Sequence, residues 1–228
     1  MEQRELTPAE KKLIQSLVSG IKIPKPATKT PLVIAMVGLV GAGRSSVARE
    51  LAKSLGAVII SNNDLRVTFR KKLGNFDPIN IRAAGRAITE AVLAKNGIVI
   101  LDSDVVSADK RDELKKLSNA KGVRVIYVRV FADMDVQVAR AISEKYGVGD
   151  LYTGASTALK GSTQAKATAV RLREMWRRTP LHYSWNSENG GSWILKTFNF
   201  ATFADIDTTD DKKWKLQVKA IAEQLRKV

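Results

Sequence analysis

The sequence predicts one α/β domain of three layers, a five-stranded parallel sheet between helices, with an insertion late in the chain. Two observations carry that expectation. Short apolar runs alternate with longer amphipathic segments from residue 31 onward, the pattern of parallel strands joined by crossover helices. The rhythm breaks over 147–200, where a Gly/Ser/Thr-rich stretch, a basic segment and an aromatic one follow each other. At 228 residues the chain is long enough for one sizeable core and short for two.

The elements follow in order. Thr7-Pro8-Ala9-Glu10 supplies an N-cap residue, a proline at the first helical position and a glutamate at the third, and Leu13, Ile14, Leu17 and Ile21 repeat at helical spacing. A leading helix is expected, then KIPKPATKTP as an extended linker, so residues 1–30 precede a domain spanning 31–228. Strands are expected at 32–37, 57–60, 98–102, 123–130 and 203–207. Helices fall between them at about 45–55, 64–72, 78–95, 108–120 and 134–146, with Asp77-Pro78 and Asp133 as starts, and a last helix spans about 210–225. Within the insertion at about 147–200, read as a lid, a basic helix runs to about Arg178, and Asn189-Gly190-Gly191 marks a hairpin.

Composition narrows the function. Hydrophobic residues make up 44% and charged residues 27%, and no apolar run is long enough for a membrane span. The first twenty residues lack a signal peptide's basic start, apolar run and cleavage site, and the chain has no cysteine. The cytoplasm is the expected compartment, and disulfides and thiolate metal sites are excluded. A net charge of +15 attracts nucleotides, nucleic acid and other phosphorylated partners, although basic residues also serve solubility.

Chemistry concentrates after the first strand, where Gly38-x-x-x-x-Gly43-Arg44-Ser45 leads into an amphipathic helix. Phosphate binding needs this order: glycines at Gly38, Gly41 and Gly43, with Ala42, let backbone N–H groups turn inward, and the helix start adds partial positive charge. The Ser45 hydroxyl can ligate Mg²⁺, and Ser46 offers a second hydroxyl. Arg44 stands where the motif has lysine, exchanging a compact ammonium for a longer planar fork. A rival pattern, Gly41-x-Gly43-x-x-Ser46 with Asp64 downstream, approaches the dinucleotide fingerprint but lacks its third glycine. Ile98–Asp102 is an apolar strand ending in a carboxylate suited to holding Mg²⁺ through water. Asp104 either points the same way or is a turn residue.

With these residues the chain resembles the P-loop kinases that include polynucleotide kinases, zeta-toxin-like kinases and small-metabolite kinases, over roughly 31–146 and 203–226. The resemblance implies a sheet of order 2-3-1-4-5, ATP or another nucleoside triphosphate with Mg²⁺, and transfer of the γ-phosphoryl group to a hydroxyl. It implies Asp64 as acceptor of the hydroxyl proton, or a helix N-cap, and Arg66 as a holder of the acceptor or its phosphate. Arg140 matches the arginine on the helix before the lid, and Arg177 is taken from Arg171, Arg173, Arg177 and Arg178 as the lid arginine. The acceptor is a small hydroxyl-bearing metabolite or a nucleic-acid end, with no membrane partner. The alternatives are an impaired nucleotide-binding protein associated with nucleic acid, and a dinucleotide-dependent oxidoreductase. His182, the only histidine, is assigned to the hairpin, and Trp176, Trp185 and Trp193 to lid packing.

Overall fold

The computed structural model describes residues 4–146 and 161–227. Its elements are α1 (Pro8–Ser19), β1 (Leu32–Val37), α2 (Arg44–Leu55), β2 (Ala57–Ser61), α3 (Asn62–Leu73), α4 (Pro78–Leu93), β3 (Ile98–Asp102), α5 (Ala108–Lys121), β4 (Arg124–Phe131), α6 (Met134–Ser143), α7 (Thr163–His182), β5 (Tyr183–Asn186), β6 (Ser192–Leu195), β7 (Ala204–Asp207) and α8 (Trp214–Arg226). The main sheet runs β2-β3-β1-β4-β7 with every pair parallel. This is the expected order, β7 being the fifth strand of the main sheet. Its central strand β1 neighbours β3 instead of β2, which excludes the dinucleotide-binding order.

All of β1 is buried because both sheet faces are covered. Side chains alternate across a strand, so Leu32, Ile34 and Met36 join α2 and α8, while Val33, Ala35 and Val37 join α1, α3, α4 and α5. The leading helix therefore belongs to the core through Ile14. Its start is a capping box, in which the amide of Glu10 donates to Thr7 and the amide of Thr7 donates to Glu10. Arg4 bridges Glu10 and Asp77, the N-cap of α4, and Asn80 donates to Glu10 at 2.9 Å. The hydrogen bond from Arg4 is the main influence holding the Glu10 carboxyl well below its usual range, against the opposing effect of burial. A depressed carboxyl stabilises the fold above its ordinary pKa of 4.5 and loses that contribution as pH falls through the lower folded value. Arg4→Ala should thus lower the urea midpoint at neutral pH, with the gap to the parent narrowing as pH falls below 4.5.

Three boundaries differ from expectation by three residues or more. Helix α6 ends at Ser143, where Glu144 turns extended, and α7 runs on past Arg178 to His182. Helix α8 starts at Trp214 because the Asp207 and Asp210 side chains take the amides of Thr209 and Lys212, holding turns that compete with helix. The Gly/Ser/Thr-rich part of the insertion, 147–160, lies outside the described residues. The hairpin forms as expected, with Trp185 opposite Trp193. Trp193 packs against the rings of both Trp176 and Trp185, which stay 46% and 55% exposed. No helix among the described residues is long and apolar enough to cross a membrane.

Candidate active site

The carboxyl ends of β1, β2 and β3, neighbours in the sheet, lead into the glycine loop, the start of α3 with Asp64 and Arg66, and the segment with Asp102 and Asp104. The loop after β1 needs positive φ at Gly41 (84°) and Gly43 (81°). A side chain at Gly41 would also strike the Gln137 carbonyl of α6 at 2.6 Å, so α6 seals the back of the loop. Gly43 is the N-cap of α2 and supplies no side-chain cap. Arg44 and Ser45 therefore open the helix with amides left for an anion. Ala42 faces the core, its amide bonded to the Leu39 carbonyl at 3.2 Å. The Ser46 hydroxyl accepts from Arg49 at 3.3 Å.

The Arg44 side chain folds back across Gly38. Its Nη1 is enclosed and has no hydrogen-bond partner among the described residues. An enclosed guanidinium nitrogen without an acceptor is costly unless something anionic arrives.

Behind the loop sits a clamp that the sequence did not signal. The buried Thr208 hydroxyl donates to the Ala42 carbonyl at 2.8 Å. Arg140 donates to the Thr208 carbonyl at 2.6 Å, the Thr208 hydroxyl at 3.0 Å, Asp211 at 2.9 Å and the Gly41 carbonyl at 3.4 Å. Arg140, on α6, thus ties its own helix and the β7–α8 connection to the loop through its guanidinium.

In front of the loop, β3 delivers two carboxylates with different fates. Asp102 is buried, and its Oδ1 has no partner among the described residues. Asp104, also buried, is fully engaged. Its Oδ1 accepts the Gly38 amide at 3.3 Å, and its Oδ2 pairs with Arg178 and lies 3.0 Å from His182 Nε2. Burial pushes this carboxyl up, but the hydrogen bond and charge of His182, with the charges of Arg44 and Arg178, hold it well below the usual range. Of the two candidate metal-binding carboxylates, only Asp102 keeps an oxygen free among the described residues. His182 is the last residue of α7, buried against Asp104, and not part of the hairpin.

The lid arginine chosen from sequence is not the one that reaches the loop. Arg177 is exposed and pairs with Glu174 at 2.7 Å, one turn along its own helix. Arg178, rotated by about 100° on α7, faces Asp104. Arg171, on the same side, pairs with Glu144 and donates to the Tyr146 hydroxyl at 3.0 Å. Burial and the charge of Arg44 push it down to about 10.

After β2, Ser61 caps α3 by accepting the Asp64 amide at 3.2 Å. The cap role offered to Asp64 thus falls to Ser61, leaving the Asp64 carboxylate exposed in the first turn. Arg66 lies near the Phe76 ring, 5.9 Å from its centroid.

The AAA domain family profile matches residues 33–149, more than half of the chain. The chain is 31% identical over 154 residues to the cytidylate kinase of Nocardia farcinica (strain IFM 10152), covering 60% of this chain and 66% of that protein. It is 27% identical over 119 residues to the adenylyl-sulfate kinase of Myxococcus xanthus (strain DK1622), covering 49% of this chain and 63% of that one. It therefore spans slightly less than two thirds of these curated relatives' length. Among solved structures, its fold is similar to the Mycobacterium tuberculosis APS kinase CysC in complex with AMPPNP and APS, with 15% identity, 86% of this chain and 98% of that chain covered, and a TM-score of 0.50. A profile match over more than half the chain, on a sheet whose central strand ends in a glycine loop, makes this chain a member of the AAA domain family, among the P-loop kinases.

Proposed function

We propose that the chain is a phosphotransferase that moves the γ-phosphoryl group of ATP, or another nucleoside triphosphate, to an acceptor hydroxyl. The observation that carries this reading is the uncapped start of α2 beside a buried arginine nitrogen and a buried carboxylate oxygen, both without partners. Each fits one part of a magnesium–nucleotide complex. The amides of Gly43 to Ser45 and the Arg44 guanidinium would hold phosphate oxygens. Ser45 and Asp102 would hold Mg²⁺, which when bound neutralises charge on the phosphates.

The kinase relatives support the reaction class. Asp64 takes the proton of the acceptor hydroxyl. The hydroxyl oxygen bonds to the γ-phosphorus as its bond to the bridging β-phosphate oxygen breaks, and a nucleoside diphosphate leaves. Asp104 works at one remove, holding the Gly38 amide and Arg178 in place.

The fold of Arg44 across Gly38 favours a second reading, in which nucleotide binds and turns over poorly. A misplaced cation weakens the transition state more than the ground state. Arg44→Lys should then raise ATP turnover about tenfold, about 1.4 kcal/mol of transition-state stabilisation, with a smaller gain in ATP affinity. Turnover and calorimetric affinity measured on both forms decide it. No change in either quantity contradicts the assigned role of Arg44.

A further inference from the structure

Side chains alternate along β4, which puts Arg129 on the same sheet face as Val125 and Tyr127, beside Val37 of β1. A buried strand position on that face ordinarily takes an apolar side chain. Arg129 is nonetheless only 6% exposed, and the carboxylate paired with it, Asp205, lies 3.9 Å away near solvent. A cation buried this far needs further compensation. It comes from the segment between the hairpin and β7. The Arg129 guanidinium donates to the Lys196 carbonyl at 2.6 Å and lies 4.0 Å from the centre of the Phe198 ring. Phe198 stacks on Phe200, with 4.9 Å between centres and 7° between planes, and Arg111 of α5 lies 4.0 Å from the centre of Phe200. Two guanidinium groups thus close a stack of two phenyl rings.

The same segment finishes α7. The last four carbonyls of a helix lack partners within it. Lys196 serves two of them, its amide donating to the His182 carbonyl at 2.8 Å and its ammonium to the Pro180 carbonyl at 2.7 Å. The Phe198 ring also meets the His182 imidazole, with 6.0 Å between centres at 76°. From His182 the contacts continue to Asp104 Oδ2 at 3.0 Å, and Asp104 Oδ1 accepts the Gly38 amide at 3.3 Å. Contacts between neighbouring groups therefore lead from Arg129 to the first glycine of the loop.

We propose that Arg129 and Phe198 are positioning residues: by fixing the end of α7 they hold His182 against Asp104, and so keep the Gly38 amide where the glycine loop needs it. Both act at one remove from the loop. The consequence for nucleotide affinity rests on the phosphotransferase reading, whereas the coupling to Gly38 does not.

The test reads hydrogen exchange of the Gly38 amide by nuclear magnetic resonance, with the Ile34 and Ile100 amides as reporters of the sheet core. Phe198→Leu, which keeps apolar bulk and loses the flat ring, should speed exchange at Gly38 about tenfold and leave both reporters unchanged. Arg129→Lys, which keeps the charge and loses the planar fork, should do the same, and decides the matter alone if Phe198→Leu does not fold. Phe198→Tyr should restore the parent's exchange. In a His182→Leu background, Phe198→Leu should add nothing at Gly38, because the link between them is already cut. Calorimetry should show Mg²⁺–ATP affinity falling in step with Gly38 protection. Exchange at Gly38 that stays at the parent's rate, that quickens only together with both reporters, or that quickens equally without His182 overturns the coupling. Unchanged ATP affinity despite faster exchange overturns the positioning role. If the parent binds no ATP, the phosphotransferase reading falls, while exchange at Gly38 still decides the coupling.

Discussion

Asp64→Asn should lower phosphoryl transfer by about 10²–10⁴-fold while leaving nucleotide affinity unchanged. The separation follows from position. Asp64 stands in the first turn of α3, after β2, whereas the loop and Arg44 follow β1. Ser61 already caps α3, so the substitution removes a carboxylate and leaves the helix start intact. Asparagine keeps the side chain's shape but has no carboxylate to take a proton from the acceptor. Single-turnover transfer to a competent acceptor and nucleotide calorimetry read the two effects separately. A variant that transfers phosphate as fast as its parent removes Asp64 from the chemistry, even with the rest of the site intact.

Asp104→Ala should cost about 3 kcal/mol of folding stability, the largest loss expected at this edge of the sheet. The carboxylate is buried and holds three groups on two segments, the Gly38 amide of the loop and Arg178 and His182 of α7. Without it, Arg178 keeps its charge with no compensating partner, and the Gly38 amide loses its acceptor. Asp102→Asn is the internal comparison, since its Oδ1 has no partner to lose. It should change stability little and instead raise the Mg²⁺ concentration needed for tight nucleotide binding. Urea denaturation at fixed pH measures the first effect, and nucleotide titrations across Mg²⁺ concentrations measure the second. Equal stability losses in the two variants would remove the distinction drawn between these carboxylates.

The sheet was legible because burial on both faces forces near-continuous apolar runs, and LVIAMV coincides with β1. The glycine loop was legible because positive φ at Gly41 and Gly43 demands glycine. The side chains that converge from distant segments were harder to read. Thr208 sits in no motif, and its bond to Ala42 joins residues far apart in sequence. Arg178 and His182 did carry a signal, since residues four apart on a helix share a face. Choosing Arg177 instead selected the solvent side of α7. The start of α8 slipped because Asp207 and Asp210 engage nearby amides, a local competition that apolar periodicity does not register.

On the proposed function, the loop from Gly38 to Ser45 holds the phosphates of a nucleotide. Calorimetric titration of the full chain with ATP, ADP and AMP, each with Mg²⁺, tests it most directly. Recognition through loop amides, Arg44 and the start of α2 predicts affinity that rises from AMP through ADP to ATP, with the preference for ATP weakened when Mg²⁺ is withheld. Equal affinity for all three, or no detectable binding of ATP to the folded protein, would contradict it.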